Sequence, residues 1–197
     1  MKIGFVTGVV LAAGSSRRLG RAKQLLPYRN TTVLGATLDT VRTCAFDQII
    51  VTLGGAAAAV RQQVDLAGLE VAVADDFGSG CASSLRSALR AVDPRAAGIV
   101  LMLGDQPGLS AATVDRLIVA GTRSAITVCR YHDGIGHPFW LSRSVFGELA
   151  RLHGDKAVWG IIESGRITVS RLDVDAPMPL DVDTWDDYER LRAATSP

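Results

Sequence analysis

Short apolar runs alternate with segments of helical pattern along the first 120 residues, and this alternation constrains the fold more than any other feature. Four runs of strand length are each followed by glycine or aspartate: Val6–Ala13, Gln48–Leu53, Leu69–Ala74 and Gly98–Leu103. Helical patterns follow these runs at Leu34–Cys44, Ala56–Val64, Ser83–Val92 and Ala111–Ala120. Strands that alternate with helices predict βαβ units, and therefore an α/β fold with a mostly parallel sheet covered on both faces.

The second half of the chain is less regular, but it continues the same pattern. We expect strands at Ile126–Cys129 and Ile167–Leu172, an irregular stretch from Tyr131 to Pro138, and helices at Ser144–Leu152 and Thr184–Ala194. Ser110 is well placed to cap the helix that begins at Ala111. In parallel sheets, ligands bind at the carboxyl ends of the strands, so the loops after Ala13, Ala74 and Leu103 are expected to share one rim.

Length and charge narrow the classes of function. The chain has 197 residues, which predicts a single domain over residues 1–197. Its formal charge of +1 is far from the basic balance of proteins that bind a phosphate backbone, so we expect no nucleic-acid partner. No apolar run reaches the roughly 20 residues needed to span a bilayer, so we expect no membrane partner either.

The cysteines give no sign of a metal site or of a disulfide framework. Cys44, Cys81 and Cys129 are odd in number and scattered, without CxxC or Cys/His spacing. A reduced, cytoplasmic setting is therefore expected.

The loop after the first strand carries the sharpest motif. Gly14, Ser15 and Ser16 follow the strand directly, while Arg18 and Lys23 add positive charge. Exposed backbone N–H groups together with basic side chains are suited to a triphosphate. The loop is not a Walker A motif, because no Lys-Ser/Thr pair follows its second glycine. A solvated basic loop is the alternative interpretation of the same composition.

Five motifs in order along the chain resemble those of one family. They are Leu11-x-Ala13-Gly14-x-Ser16-x-Arg18-x-Gly20-x-x-Lys23, Gly78-x-Gly80-x-x-Ser83-Ser84-Leu85, Gly104-Asp105-Gln106-Pro107, Gly136-His137-Pro138 and Leu180-Asp181-Val182-Asp183-Thr184. This set is similar to the nucleotidyltransferases of the glycosyltransferase-A type, and in particular to the molybdenum-cofactor cytidylyltransferases. The resemblance implies a Rossmann-like, three-layer α/β fold with a mostly parallel central sheet.

The resemblance also implies a catalytic centre. Asp105 and Asp183 would bind Mg²⁺, with Mn²⁺ as a substitute, and Asp181 is the rival of Asp183 because strand alternation would turn both to one face. Lys23 would hold the α- and β-phosphates, and Arg18 the leaving pyrophosphate. The alternatives are a turn aspartate at Asp105, an acid at a helix N-terminus that interacts with the helix dipole at Asp183, and ordinary surface charge at both basic residues.

Substrate contacts are implied in the same way. The residues that the resemblance implies for nucleotide binding are Leu11, Ala13, Gly14, Ser15, Ser16, Gly80, Ser83 and Ser84. Ala13 stands where guanylyltransferase relatives carry glycine, which favours CTP over GTP, and the two serines have helix capping as their alternative role. Arg130 and His137 would bind the acceptor, a phosphorylated pterin, although His137 equally suits packing in a turn.

The predicted function is transfer of CMP from CTP to a molybdopterin-type cofactor, with release of pyrophosphate. Two other functions remain open from the sequence. One is transfer of GMP or CMP to another phosphorylated metabolite. The other is a non-catalytic carrier of nucleotide or cofactor, in transient contact with a molybdoenzyme.

Overall fold

The structure is a computed structural model, and it describes residues 4–16, 18–74, 81–154 and 157–194. Its strands are β1 (Val6–Ala12), β2 (Pro27–Tyr28), β3 (Thr31–Thr32), β4 (Gln48–Leu53), β5 (Glu70–Val73), β6 (Gly98–Leu103), β7 (Ile126–Tyr131), β8 (Gly134–Ser142) and β9 (Val169–Asp173). Its α-helices are α1 (Val33–Arg42), α2 (Ala57–Gln63), α3 (Cys81–Ala91), α4 (Ala111–Gly121), α5 (Phe146–Leu149), α6 (Ala157–Ser164) and α7 (Trp185–Ala193).

Seven of these strands form one sheet in the order β5-β4-β1-β6-β8-β7-β9. β8 runs antiparallel to both of its neighbours, and the other pairs are parallel. The small strands β2 and β3 form a separate antiparallel hairpin. The mostly parallel α/β fold predicted from the alternation of runs is therefore confirmed.

Side chains of alternate strand residues enter two different cores, one on each face of the sheet. Val10 and Val100 pack in the layer that also holds the apolar residues of α1, α2 and α4. Val9 and Ile99 pack in the other layer, against α3, α5 and α6. β1 is buried along its whole length, and apolar residues dominate it, with Thr7 as its one polar side chain. Three layers result, with helices on both faces of the sheet.

A third, smaller core joins the segment between Leu19 and Val33 to the C-terminal segment, and we call it the C-terminal cluster. It consists of Leu19, Leu26, Tyr28, Val33, Val182, Tyr188 and Leu191. The hydroxyl of Tyr188 also donates a hydrogen bond to the carbonyl of Pro27 over 2.6 Å. This cluster holds the segment before α7 against the loop that follows β1.

The predicted irregular stretch from Tyr131 to Pro138 is wrong, since β8 begins at Gly134 and continues to Ser142. Cys129 pairs with Gly136 and Val128 with Phe139, so His137 and Pro138 lie in a bulge. A bulge accepts proline because the missing N–H is not needed in the ladder. The predicted helix Ser144–Leu152 is also replaced, by a 3₁₀ turn at Arg143–Val145 followed by the short α5.

The remaining element predictions are close to the structure. β4 and β6 have the predicted bounds, and the hydroxyl of Ser110 accepts a hydrogen bond from Thr113 N–H as the N-cap of α4. Within the described ranges, no helix combines the length and apolar character that crossing a bilayer requires.

Candidate active site

A cavity of about 560 Å³ lies at the carboxyl ends of β1 and β6, and we call it the central cavity. Its lining residues are Leu11, Ala12, Ala13, Gly14, Ser15, Ser16, Arg18, Lys23, Gln24, Cys81, Ser84, Leu103, Gly104, Asp105, Asp181 and Asp183. The volume is in the range of pockets that bind small molecules and cofactors, about 300 to 1,000 Å³. The cavity is therefore at the rim where the sequence predicted a site.

The loop after β1 folds back over its own beginning. Ser16 adopts a left-handed backbone conformation with φ of 52°, and its carbonyl accepts a hydrogen bond from Leu19 N–H over 3.0 Å. Its hydroxyl accepts a second hydrogen bond, from Lys23 N–H, also over 3.0 Å. Lys23 then begins a 3₁₀ turn that ends at Leu25. Ser16 thus fixes the backbone that carries Lys23.

Gln24 anchors the same loop to the end of β1. Its side-chain Nε2 donates hydrogen bonds to the carbonyls of Ala12 and Gly14, over 2.7 and 3.1 Å. The residue is only 3% exposed, and its Oε1 is buried with no hydrogen-bond partner among the residues that the structure describes. The sequence analysis assigned no role to Gln24, because a glutamine beside a lysine carries no pattern of its own.

Four charged side chains meet at the mouth of the cavity. Lys23 Nζ makes a short hydrogen bond to Asp105 Oδ2 and a second one, of 2.8 Å, to Asp183 Oδ1. Arg18 Nη2 donates to the other oxygen of Asp183 over 2.8 Å. The side chains of Lys23 and Asp105 are 14% exposed, whereas those of Asp183 and Arg18 are 43% and 67% exposed. The inner pair is sheltered and the outer pair faces solvent.

The protonation states of this group follow from burial and charge together. Burial lowers the pKa of Lys23, but the carboxylates of Asp105 and Asp183 more than offset it, so the net pKa is raised. The hydrogen bond from Lys23 lowers the pKa of Asp183, against a smaller opposing effect of burial. Lys23 is therefore cationic at neutral pH, and Asp183 is anionic.

Asp181 lies in the same cavity in a different environment. Burial, followed by the negative charge of Asp105, raises the pKa of Asp181 to about 6. Its Oδ1 is buried and accepts no hydrogen bond within the described part of the chain, while a hydrogen bond between the carboxyl group and Gln106 partly offsets the rise in pKa. A buried oxygen without a partner is destabilising, by about 1–3 kcal/mol, unless a ligand or ion satisfies it.

The C-terminal cluster and one backbone contact position this segment. Val182 is fully buried in the cluster, and its N–H donates to the carbonyl of Asp105 over 3.3 Å. At the start of α7, the capping box is formed by Thr184 and Asp187. The acid of the capping box is therefore Asp187, while the carboxylate of Asp183 accepts hydrogen bonds from Lys23 and Arg18.

The other predicted site residues are divided between the cavity and the rest of the chain. Leu11, Ala13, Gly14, Ser15, Ser16 and Ser84 line the cavity, whereas Gly80 lies outside the described residues. Ser83 is buried and is absent from the lining. Because α3 begins at Cys81, neither serine is the N-cap residue.

The two predicted acceptor residues also lie outside the lining of the central cavity. Arg130 forms an exposed ion pair with Asp173 over 2.6 Å. His137 stacks on Phe139 with 4.1 Å between the ring centroids, and burial lowers its pKa to about 4. Their role in binding an acceptor stays a prediction.

The donor set around Lys23 fits a divalent metal. Asp105 and Asp183 offer carboxylate oxygens at one point, and Asp181 adds a buried oxygen to which no described residue donates a hydrogen bond. In the described part of the chain, no group of three or more His, Cys, Asp or Glu side chains is arranged to enclose a metal ion. Mg²⁺ is characteristically bound by one or two carboxylates, with substrate phosphates and waters as its other ligands.

The sheet and its charged cavity place the chain in the three-layer class of nucleotidyltransferase folds. A nucleotidyl transfer enzyme from Methanothermobacter thermautotroptrophicus matches with a TM-score of 0.80 at 25% identity, over 96% of this chain and 97% of that one. Residues 8–170 match the family model of the MobA-like NTP transferase domain. The chain belongs to this family.

Two further relatives are similar to different extents. The crystal structure of Rv0371c from Mycobacterium tuberculosis H37Rv has 63% identity and a TM-score of 0.93, over 98% of this chain and all of that one. A complex of Rv0371c with manganese has 60% identity and a TM-score of 0.89, with the same coverage. Nicotine blue oxidoreductase from Paenarthrobacter nicotinovorans is 38% identical over 127 residues, which are 64% of this chain and 62% of that protein. The match thus spans less than two thirds of that relative's length.

Proposed function

We propose that this protein is a metal-dependent cytidylyltransferase that transfers CMP from CTP to a molybdopterin-type cofactor. The observation that carries the proposal is the meeting of Lys23, Asp105 and Asp183 at the carboxyl ends of the central strands. Nicotine blue oxidoreductase bears the name of another enzyme class. Membership of the family therefore does not determine the reaction. We infer the reaction from the chemistry of these three side chains.

The reaction needs alignment and charge neutralisation more than proton transfer. A phosphate oxygen of the acceptor forms a bond to the α-phosphorus of CTP, and the bond from that phosphorus to the bridging oxygen breaks, releasing pyrophosphate. The acceptor phosphate is already ionised at neutral pH, so no general base is required. Lys23 would hold the α- and β-phosphates, and the exposed Arg18 at the mouth would stabilise the departing pyrophosphate.

A divalent cation, Mg²⁺ or Mn²⁺, would be held by Asp105 and Asp183, with Asp181 as the rival second carboxylate. The buried oxygen of Asp181, which has no hydrogen-bond partner among the described residues, supports a metal at this place, and the complex of Rv0371c with manganese supports a divalent metal as the kind of ligand. When bound, the ion would neutralise charge on the phosphates. The protein's own part is to bring two carboxyl groups together beside the triphosphate.

The end of β1 favours a pyrimidine. Ala13 and Gly14 line the cavity directly after the strand, and a methyl group at Ala13 would leave less room for a base than a glycine. Ser84 lies in the same lining and can hydrogen-bond a base edge. Transfer of GMP or CMP to another phosphorylated metabolite and a non-catalytic carrier role are the competing functions.

Thermal stabilisation by nucleotides separates these functions. A ligand at about 100 times its Kd stabilises the folded state by about 2.7 kcal/mol, or roughly 5–10 °C for a chain of this length. We expect a Mg²⁺-dependent shift that is larger for CTP than for GTP, ATP or UTP. Asp105→Asn is expected to remove the Mg²⁺-dependent part of the shift. Asp173→Asn, which changes an exposed aspartate outside the cavity lining, is the matched control and is expected to keep it.

The other outcomes contradict the proposal in different ways. A larger shift with GTP would favour a guanylyltransferase. A shift with CTP that survives without Mg²⁺ and in Asp105→Asn would favour a carrier that binds nucleotide but performs no transfer.

A further inference from the structure

We propose that the ammonium group of Lys23 competes with a divalent cation for Asp105 and Asp183, so that metal and nucleoside triphosphate bind cooperatively. The triphosphate half of this inference rests on the proposed function. The competition half concerns only three side chains and can be measured without any nucleotide.

The contacts show that a cation already lies between the two carboxylates. Asp105 Oδ2 and Asp183 Oδ1 both accept hydrogen bonds from the same atom, Lys23 Nζ. The two aspartates come from distant parts of the chain, since Asp105 follows β6 and Asp183 precedes α7. Their convergence on one ammonium group is therefore a property of the folded site. A divalent ion that used the same two oxygens would have to replace this ammonium group.

Shelter from solvent makes this competition strong. The side chains of Lys23 and Asp105 are each only 14% exposed, so water and salt screen their interaction less than that of a surface pair. A metal ion bound by the same two carboxylates would lie next to the ammonium group, and the two would repel each other because both are cations. Without a nucleotide, the carboxylates therefore have a resident counter-ion, and metal binding has to overcome it.

A triphosphate can remove that counter-ion. The Lys23 side chain lies close to the loop after β1, with its Cε 3.7 Å from where a Cβ on Gly14 would be. Its backbone is fixed by the hydrogen bond to Ser16, and its neighbour Gln24 is fixed to Ala12 and Gly14. The flexible four-carbon stem lets the ammonium group turn to phosphates bound at this loop while the backbone stays in place. The carboxylates are then free, and phosphate oxygens supply further ligands to the metal.

Arg18 provides a matched comparison. Its guanidinium contacts Asp183 over 2.8 Å, like Lys23, but its side chain is 67% exposed and makes no contact with Asp105 among the hydrogen bonds of the structure. Replacing either residue removes one positive charge beside Asp183. Only the replacement of Lys23 removes the cation that lies between the two carboxylates.

The first experiment measures Mn²⁺ binding without nucleotide, from the electron paramagnetic resonance signal of free Mn²⁺. Lys23→Met is expected to bind Mn²⁺ at least about tenfold more tightly than the wild type, which is about 1.4 kcal/mol. Lys23→Arg, which retains the charge, is expected to stay within about threefold of the wild type, and so is Arg18→Met. Lys23→Gln is a second neutral variant, and circular dichroism shows which variants are folded.

The proposal is overturned if neutral variants at Lys23 bind Mn²⁺ no more tightly than the wild type. It is equally overturned if Arg18→Met gains as much affinity as Lys23→Met, because net charge alone would then explain the effect.

The second experiment repeats the titration with an α,β-methylene analogue of CTP, which cannot be cleaved between these phosphates. In the wild type, the analogue is expected to tighten Mn²⁺ binding by at least about tenfold, and Mn²⁺ is expected to tighten binding of the analogue by the same factor. In Lys23→Met this coupling is expected to be smaller. Tighter Mn²⁺ binding by Lys23→Met without any effect of the analogue would support the competition and overturn the cooperativity. Failure of the CTP proposal is thereby distinguished from failure of the competition.

Discussion

Val182 offers a test of how the fold positions the site, because it contacts no substrate in the proposed reaction. It is fully buried in the C-terminal cluster, between Asp181 and Asp183. Its N–H is also bonded to the carbonyl of Asp105. If packing at Val182 sets the distance between Lys23 and Asp183, then Val182→Ala reduces activity as well as stability.

The expected magnitude follows from the lost side-chain atoms. Val→Ala removes two methyl groups from a fully buried position, which is destabilising by about 1.6 kcal/mol at about 0.8 kcal/mol per group, and a residual cavity raises this to about 2 kcal/mol. The corresponding decrease of the melting temperature is about 4–8 °C for a chain of this size. A displacement of Asp183 by a fraction of an ångström is expected to lower kcat by at least about tenfold.

Val128→Ala is the matched control. Val128 is also fully buried, but it lies in β7, in the core on the face of α3, α5 and α6. Urea unfolding gives the stability of both variants, and pyrophosphate release from CTP with a molybdopterin-type acceptor gives kcat. We expect similar losses of stability and a loss of kcat for Val182→Ala alone. Equal losses of kcat in the two variants would refute the link between this cluster and the site.

Two further predictions concern Gln24 and His137. Gln24→Glu replaces a donor by a carboxylate facing the carbonyls of Ala12 and Gly14, so we expect a loss of about 2–3 kcal/mol in urea unfolding and weaker CTP binding. The exposed Gln63→Glu is its control, and equal stability of the two variants would contradict the anchoring role. His137 has a pKa of about 4 in the folded protein, against about 6.5 in the unfolded chain, so the unfolded state gains a proton first as the pH falls. Between about pH 7 and pH 5, the wild type should therefore lose up to about 2 kcal/mol more than His137→Phe, an upper limit because the ring is only partly shielded from solvent. Equal pH dependence of the two urea midpoints would contradict this.

The parts of the fold that local pattern determines could be predicted from the sequence. β4 and β6 are buried runs of strand length that end at a glycine, and their bounds were predicted correctly. The motif residues Gly14, Ser16, Lys23 and Asp105 do meet in one cavity, because parallel strands end at the same edge of the sheet.

The parts that depend on distant contacts could not be predicted. Gly134, Gly136 and Pro138 are typical of a loop, yet they belong to β8, which is stabilised by pairing with strands on both sides. The C-terminal cluster could not be predicted either. Leu26 and Val182 lie far apart in the chain, and no hydrophobic periodicity links their two segments.

The different environments of the two rival aspartates could also be recognised only from the structure. Asp181 and Asp183 are two residues apart, and both line the cavity. Burial and the charge of Asp105 raise the pKa of Asp181, whereas the contact with Lys23 lowers that of Asp183. Alternation along the chain predicted their common face, but not these different partners.

Pyrophosphate release from CTP, measured with and without a molybdopterin-type acceptor, tests the central claim most directly. We predict release that requires CTP, acceptor and Mg²⁺ together, and that falls at least about 100-fold in Asp105→Asn, or about 2.7 kcal/mol. Asp39→Asn should release pyrophosphate at the rate of the wild type, because this exposed carboxylate pairs with Arg42 outside the cavity lining. Release by Asp105→Asn within about tenfold of the wild type would contradict the assignment of the charged centre as the catalytic site.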